Sequence, residues 1–191
     1  MASFKKFSVL ALIAIALLIF GGILHIIALA TPYWHFTYEA TFGRVGHYGL
    51  WVGCKYFLTT VSCSSEYINP PGWMQGVRAM DVLGMLLGTT ALVLMGLYTF
   101  APSGKWTTTY KVSSVVTALV AGLFVLIGAI IYGVSIVNGA DLISAFPYNS
   151  GGLFLNGVYT HDLSWSFGIS ITAAILCVLS GVVMGFAGKR N

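Results

Sequence analysis

The chain has 191 residues, of which 58% are hydrophobic and 7% are charged, and its formal net charge is +4. Soluble domains carry roughly 25% charged residues, so this composition excludes a water-soluble fold and indicates a chain that folds in a lipid bilayer. The nine basic residues are too few and too dispersed for a nucleic-acid-binding surface. No nucleic-acid partner is therefore expected.

Four apolar runs without acidic or basic residues begin at Phe7, Val82, Val112 and Trp165. Each is long enough to cross a hydrocarbon core of about 30 Å as a helix. Allowing for helix ends, we place the spans at about residues 7–30, 79–101, 112–137 and 165–187. The first run is longer than the core of a cleavable signal peptide, so we interpret it as a retained signal-anchor helix. The prediction is an all-α, left-handed four-helix membrane bundle forming a single domain over residues 1–191.

Charged residues divide between the two sides of this predicted bundle. One side carries basic residues and no acidic ones, namely Lys5, Lys6, Lys105, Lys111, Lys189 and Arg190. The other side carries every carboxylate side chain, namely Glu39, Glu66, Asp81, Asp141 and Asp162. The positive-inside rule makes the basic side cytoplasmic. Both termini and the loop at about 102–111 are then inside the cell, and the loops at about 31–76 and 138–164 are outside.

The two outer loops contain strand-like segments. Apolar and polar residues alternate over 35–42, which indicates a half-buried strand. Residues 48–54 and 56–61 are rich in aromatic, β-branched and threonine residues, so a small extracellular antiparallel sheet is predicted. The glycine-bracketed segment 151–157 in the second loop is a candidate edge strand.

Two of the three cysteines, Cys54 and Cys63, lie close together in the first outer loop. We interpret them as a disulfide in an oxidising compartment, and two free thiols are the alternative. Such a bond would close a loop of about ten residues and stabilise a thin sheet by roughly 2.5 to 3 kcal/mol. Cys177 lies deep in an apolar run, where it is expected to fill space in the bundle.

Trp34 and Trp51 flank the strand-like part of the first loop. Both are candidates for the headgroup level of the bilayer, because an indole has an apolar face to bury and an N–H to hydrate. Direct contact with a partner protein is the alternative. Gly49 suits a close backbone approach just before Trp51.

Three ionisable residues lie at the outer ends of the first two spans. Arg78 and Asp81 are three residues apart, so they are predicted either to pair on one helix face or to leave Arg78 bonded to loop carbonyls. His25 is expected to be a neutral side chain that hydrogen-bonds a neighbouring helix.

Two pairs of small residues at GxxxG spacing are predicted to let helices approach closely. They are Gly84 with Gly88 and Gly181 with Gly185.

The order of a tryptophan, Gly-Leu-Trp and two cysteines in the first outer loop carries a family resemblance. Trp34, Gly49-Leu50-Trp51, Cys54 and Cys63 match it, followed by a basic residue, Arg78, at the return to the membrane. With four spans, the chain resembles the claudin superfamily, which includes peripheral myelin, epithelial membrane and lens membrane proteins and stargazin-like channel subunits. The resemblance covers the whole chain in topology, and its residue-level motif lies in the first loop.

The resemblance implies a plasma-membrane protein at cell-cell contacts that forms or supports a paracellular barrier. Such proteins associate with themselves or with related chains, both side by side and across the intercellular space. The trans contact is expected at Phe146, Pro147 and Tyr148, and Glu66 would be the charge of any paracellular pore. The alternative is an auxiliary subunit that regulates an ion channel or receptor, as stargazin-like relatives do. The chain ends in Lys189-Arg190-Asn191, which offers no hydrophobic residue to a cytoplasmic scaffold domain.

Catalytic motifs and metal-ligand spacings are not found. The sequence has no HExxH, GxSxG or phosphate-binding loop, and its four histidines have no ligand spacing with the acids. We therefore expect neither an enzyme nor a cofactor, and we expect membrane lipids and proteins as partners.

Overall fold

The computed structural model describes residues 8–39, 43–57, 60–65, 70–100, 104–138 and 159–188. Its helices are α1 (Val9–Ala30), α2 (Gly72–Phe100), α3 (Thr107–Val137) and α4 (Trp165–Phe186). All four are long and apolar enough to cross a membrane, which confirms the predicted four-helix class. Helices α2 and α3 begin before the predicted starts of their spans at 79 and 112. Because a helix limit is not a membrane limit, the span limits and the left-handed arrangement stay predictions.

Five antiparallel strands form one sheet in the order β4-β3-β2-β1-β5. They are β1 (His35–Glu39), β2 (Gly43–Tyr48), β3 (Gly53–Phe57), β4 (Thr60–Ser64) and β5 (Tyr159–Leu163). The first four come from the first loop, and β5 comes from the second. Phe36 of β1 lies opposite Asp162 of β5. Both loops therefore contribute to the same sheet, and the predicted small antiparallel sheet is confirmed.

The strand limits differ from those predicted at two places. A single strand over 48–54 was wrong, because β2 ends at Tyr48 and a turn follows in which the Gly49 N–H donates to the Val52 carbonyl at 2.8 Å. A strand over 56–61 was also wrong, because β3 ends at Phe57 and β4 begins at Thr60. Strand β1 covers 35–39 of the predicted 35–42, and residues 40–42 lie outside the described residues. The candidate strand at 151–157 lies outside the described residues.

The chain divides into two compact units, each with its own apolar core. We call residues 26–80 and 127–170 the sheet unit and residues 1–25, 81–126 and 171–191 the helical unit. The core of the sheet unit contains Trp34, Tyr48, Leu50, Met74 and Tyr132. The core of the helical unit is built from smaller side chains, including Ala11, Ala14, Ala91, Met95 and Ala118. Small residues are typical of helix contacts in a bilayer, where packing replaces the hydrophobic effect.

Close helix contacts in the helical unit use one glycine from each predicted pair. A methyl group at Gly84 would lie 2.5 Å from Cγ2 of Val125, and one at Gly181 would lie 3.2 Å from a leucine. A methyl group at the second members of the pairs, Gly88 and Gly185, would meet no atom of the described residues within 4 Å. The predicted close approach is therefore confirmed at the first glycine of each pair and is absent at the second.

Candidate functional site

Trp34 follows α1 and lies inside the sheet unit, with 0% of its surface exposed. Its indole Nε1–H donates to the carbonyl of Ala28 at 2.7 Å, and its backbone N–H donates to Tyr48 at 2.9 Å. Its own carbonyl accepts from the N–H of Ser164 at 2.9 Å, and its ring meets Tyr132 edge-on at 4.8 Å between centroids. One residue thus joins the end of α1 to β2, to α3 and to the segment that begins α4.

The two loop tryptophans have different surroundings. The prediction that Trp34 anchors at the lipid headgroups was wrong, because protein covers its whole surface and leaves no face for lipid. Trp51 keeps 41% of its surface exposed. For Trp51, both headgroup anchoring and contact with a partner stay predictions.

Gly49 lies where two backbone segments approach closely. A methyl group at this position would lie 2.5 Å from the Thr31 carbonyl oxygen and 2.7 Å from the Pro32 Cα. Both atoms belong to the backbone, so neither can rotate away as the end of a side chain can. This geometry matches the close approach predicted for Gly49, and it accounts for glycine at this point of the motif.

Arg78 of α2 bonds the loop that follows Gly49. Its Nε–H donates to the carbonyl of Leu50 at 2.7 Å, and its guanidinium carbon lies 4.9 Å from the centre of the Trp51 ring. Of the two alternatives predicted for Arg78, the bond to a loop carbonyl is the one observed. A charged donor makes this hydrogen bond stronger than a neutral one, and the cation–π contact adds to it. The Gly-Leu-Trp segment therefore packs against the residues that follow α1 and is hydrogen-bonded by α2.

Cys54 and Cys63 form the predicted disulfide, which excludes two free thiols. The two residues lie directly opposite each other on β3 and β4, with their Cα atoms 4.0 Å apart. Strand β4 is an edge strand with mostly exposed side chains. The disulfide adds a covalent cross-link between this strand and β3. In the helical unit, the Cys177 thiol donates to the Ala118 carbonyl at 3.3 Å, which fits its expected packing role.

Aromatic rings cover one part of the sheet unit, a feature that was not predicted from the sequence. The guanidinium of Arg44 lies 3.7 Å from the centre of the Phe36 ring, and it donates to the Tyr38 hydroxyl at 3.1 Å. Tyr33 stacks on His47 at 4.4 Å between ring centres. The alternation in β1 was the available signal, because it puts Phe36 and Tyr38 on the same face of the strand. Desolvation lowers the pKa of His47, and the charge of Arg44 lowers it further.

His35 is buried on β1 beside a tyrosine of α3. Its Nδ1 lies 2.7 Å from the Tyr132 hydroxyl oxygen, and its ring stacks on Tyr48 at 5.1 Å. Burial lowers the pKa of His35 to about 3, with a smaller contribution from His161. His35 is therefore neutral at physiological pH and forms part of the fold.

His25 and Asp81 lie together in the helical unit. The His25 Nε2–H donates to the backbone carbonyl of Asp81 at 3.1 Å, as expected for a neutral histidine that bonds a neighbouring helix. The Asp81 side chain, which was predicted to lie on the outer side with the other carboxylates, is buried. A buried acid therefore lies beside His25.

The predicted contact residues Phe146, Pro147 and Tyr148 and the predicted pore charge Glu66 lie outside the described residues, so their roles stay predictions. Within the described ranges, no three of the His, Cys, Asp and Glu side chains converge to hold a metal ion.

Four helices of membrane-spanning length and one disulfide-bonded sheet built from both loops define a small four-pass membrane protein. The family model described as PMP-22/EMP/MP20/Claudin matches residues 7–184, and the chain belongs to this family. The match confirms the resemblance carried by the first-loop motif. The family is one of non-enzymatic membrane proteins that associate with themselves or with related chains. A comparison with curated proteins finds no match.

Proposed function

We propose that the protein forms or supports a paracellular barrier at cell-cell contacts, through lateral and trans association of its extracellular sheet. The observation that carries the proposal is the pairing of β1 with β5, which makes one sheet from both loops. A barrier needs contact surfaces held at fixed positions outside the membrane, and a sheet provides them. Trp34, Arg78 and the disulfide all stabilise this part of the chain.

A barrier fits the charges of the sheet better than a strongly selective pore does. Strands β1 to β5 contain basic Arg44 and Lys55 and acidic Glu39 and Asp162. Such a mixture produces no strong field of one sign, which an ion-selective passage requires. If a pore forms, Glu66 is the residue proposed to select cations. Catalysis is no part of this proposal.

The proposed location is the plasma membrane at cell borders, with both termini in the cytoplasm. Epitope tags at each end test the orientation in intact cells. Antibodies should reach both tags only after permeabilisation, and labelling of either tag on intact cells would contradict this topology.

The barrier is tested by expressing a tagged chain in cells that lack claudins and imaging the contacts by freeze-fracture. Continuous strands confined to borders between two expressing cells would support lateral and trans association. Electrical resistance across a monolayer should then rise relative to untransfected cells. Diffuse surface label and unchanged resistance would contradict the proposal.

The trans contact is tested by Phe146→Ala combined with Tyr148→Ala. The double variant should reach the surface normally and lose its enrichment at borders, because the proposed contact loses its two aromatic rings. The matched control is Trp106→Ala with Phe186→Ala, which removes two exposed aromatic residues on the side proposed to be cytoplasmic. This control should keep its border enrichment. Equal enrichment of both variants would exclude the 146–148 contact.

The second candidate is an auxiliary subunit of a channel or receptor. The observation that favours it is an exposed stripe near the end of α3, formed by Ile130, Val134 and Val137 at helical spacing. A partner's membrane helix fits such a stripe, and lipid tails fit it equally. Affinity purification from a native membrane separates the two functions. A channel that copurifies with the wild-type chain and is lost from a Val134→Ser variant would favour the auxiliary role.

A further inference from the structure

A histidine and an aspartate face each other between α1 and α2 in the helical unit. Nε2 of His25 lies 3.1 Å from the backbone carbonyl of Asp81 and 3.9 Å from its Oδ1 atom. The Asp81 side chain is 0% exposed, and 5% of the His25 surface is exposed. Ionisable residues inside membrane helices are costly and usually functional, so this pair requires a physical account.

Three polar atoms of the pair have no hydrogen-bond partner among the described residues. They are both carboxyl oxygens of Asp81 and the Nδ1 atom of His25. An ionised carboxylate offers about four acceptor sites, and leaving all of them empty in a buried place is very costly. The geometry therefore opposes a charged Asp81 that is stabilised by hydrogen bonds.

His25 is poorly placed to compensate a negative charge on Asp81. Its Nε2–H already donates to the carbonyl, and 3.9 Å to Oδ1 is too long for a hydrogen bond. Arg78, one turn earlier in α2, donates instead to the Leu50 carbonyl.

Three other titratable groups of the helical unit have hydrogen-bond partners away from Asp81. Lys111 of α3 donates to the Ala187 carbonyl, and Cys177 of α4 donates to Ala118. Tyr98 of α2 donates to the Gly188 carbonyl. Among the described residues, His25 is the one ionisable side chain that forms an ion-pair contact of 4.0 Å or less with the Asp81 carboxyl.

We propose that Asp81 and His25 form a proton-binding site in which the Asp81 carboxyl holds one exchangeable proton and both side chains are neutral. Uptake of the proton closes the contact between α1 and α2. Its release leaves a buried negative charge that can be compensated only by entry of water or by a second proton on His25. Either response loosens this contact. The proposal does not depend on the barrier function, and its test does not use cell contacts.

The sign of the pH dependence follows from this proton. The folded chain holds the proton on Asp81, whereas an unfolded or water-exposed carboxyl releases it at neutral pH. At neutral pH, folding therefore takes up one proton at Asp81, and the contribution of Asp81 to stability falls as the pH rises.

The direct test is infrared spectroscopy of the purified full chain in lipid nanodiscs in D2O at neutral pH. The wild-type chain should show the carbonyl band of a protonated carboxylic acid, and Asp81→Asn should lose it. Asp162→Asn removes a carboxyl from β5 in the sheet unit and is the matched control. It should keep the band. Absence of the band from the wild type, or its persistence in Asp81→Asn, would overturn the proposal.

Thermal unfolding at about pH 5.5 and about pH 9 gives a second readout. Relative to Asp81→Asn, the wild type should lose stability at the higher pH, and Asp162→Asn should behave as the wild type does. His25→Gln keeps a side-chain donor for the Asp81 carbonyl, so it should retain the infrared band. If Asp81→Asn fails to fold, the frequency of the band should shift in His25→Gln, because the group beside the Asp81 carboxyl has changed, and an unshifted band would refute the assignment to this site. Identical pH dependence of the wild type and Asp81→Asn would refute the inference.

A metal ion is the other cation that a carboxyl and an imidazole bind. Metal analysis of the purified chain and treatment with EDTA distinguish it from a proton. The proton site predicts no stoichiometric metal and no effect of EDTA on the infrared band. One metal per chain, with a carboxylic-acid band that appears only after EDTA treatment, would overturn the proton site and indicate a metal site instead.

Discussion

Replacement of Gly49 by alanine tests the close backbone approach between the first-loop motif and the residues that follow α1. The added methyl would lie 2.5 Å from the Thr31 carbonyl oxygen and 2.7 Å from the Pro32 Cα, well inside van der Waals contact. The backbone must move, and such overpacking costs about 1 to 3 kcal/mol. Reduced entropy of the unfolded chain returns about 0.4 to 1 kcal/mol. We expect a net loss of about 1 to 2 kcal/mol, with displacement of the Leu50 carbonyl from Arg78.

The assay is thermal unfolding in detergent together with hydrogen exchange of residues 43–57. Gly49→Ala should lower the unfolding midpoint by about 2 to 8 °C and speed exchange in β2 and β3. Gly76→Ala is the matched control, because it lies in α2 of the same unit and no described residue lies within 4 Å of the added methyl. Helix propensity should make this control more stable by about 0.5 to 1 kcal/mol. A Gly49→Ala chain as stable as the wild type would refute the close-approach argument.

Three further predictions concern the sheet unit. Trp34→Phe should destabilise the protein by about 2 to 4 kcal/mol, because it removes the donor to Ala28 and leaves a cavity; equal denaturation midpoints would contradict this. Replacement of Cys54 and Cys63 by serine should cost about 2.5 to 3 kcal/mol and make the chain insensitive to reductant, unlike the wild type. Because the pKa of His35 is about 3 in the folded chain and 6.5 is its ordinary value, the unfolded chain binds more protons between them. Stability should therefore fall on acidification by about 2 kcal/mol between about pH 6.5 and about pH 4.5, and this loss should be absent from His35→Gln if burial of the imidazole causes it.

Some features were predictable because they follow from length and residue type alone. Runs of more than about 20 apolar residues have few alternatives to a membrane helix, so the four helices follow from the sequence. The Cys54–Cys63 pair was predictable for a similar reason, since two close cysteines in a loop predicted to be extracellular usually form a disulfide. Gly49 was interpreted correctly because only glycine allows the closest backbone approach.

Other features depend on which neighbour covers a side chain, and sequence patterns do not contain that information. Trp34 has the chemistry of an interfacial anchor, yet Ala28 and Tyr132 take the positions that lipid would occupy. Asp81 was assigned to the outer side of the membrane because charge rules assign residues to a side and give no depth within a helix. The strand over 48–54 was wrong because β propensity does not detect the turn that Gly49 makes with Val52.

The pairing of β1 with β5 has a consequence for the order in which the protein matures. Strand β1 is synthesised early, but its partner emerges more than a hundred residues later, after three of the four helices. Until then one edge of β1 presents unpaired backbone groups, which are ready to pair with another chain. The disulfide between β3 and β4 can form before the second loop is synthesised, because both strands lie in the first loop. Truncation or slow synthesis of the second half should therefore yield an intermediate that has its disulfide but is prone to aggregate. Quality control in the secretory pathway would retain this intermediate.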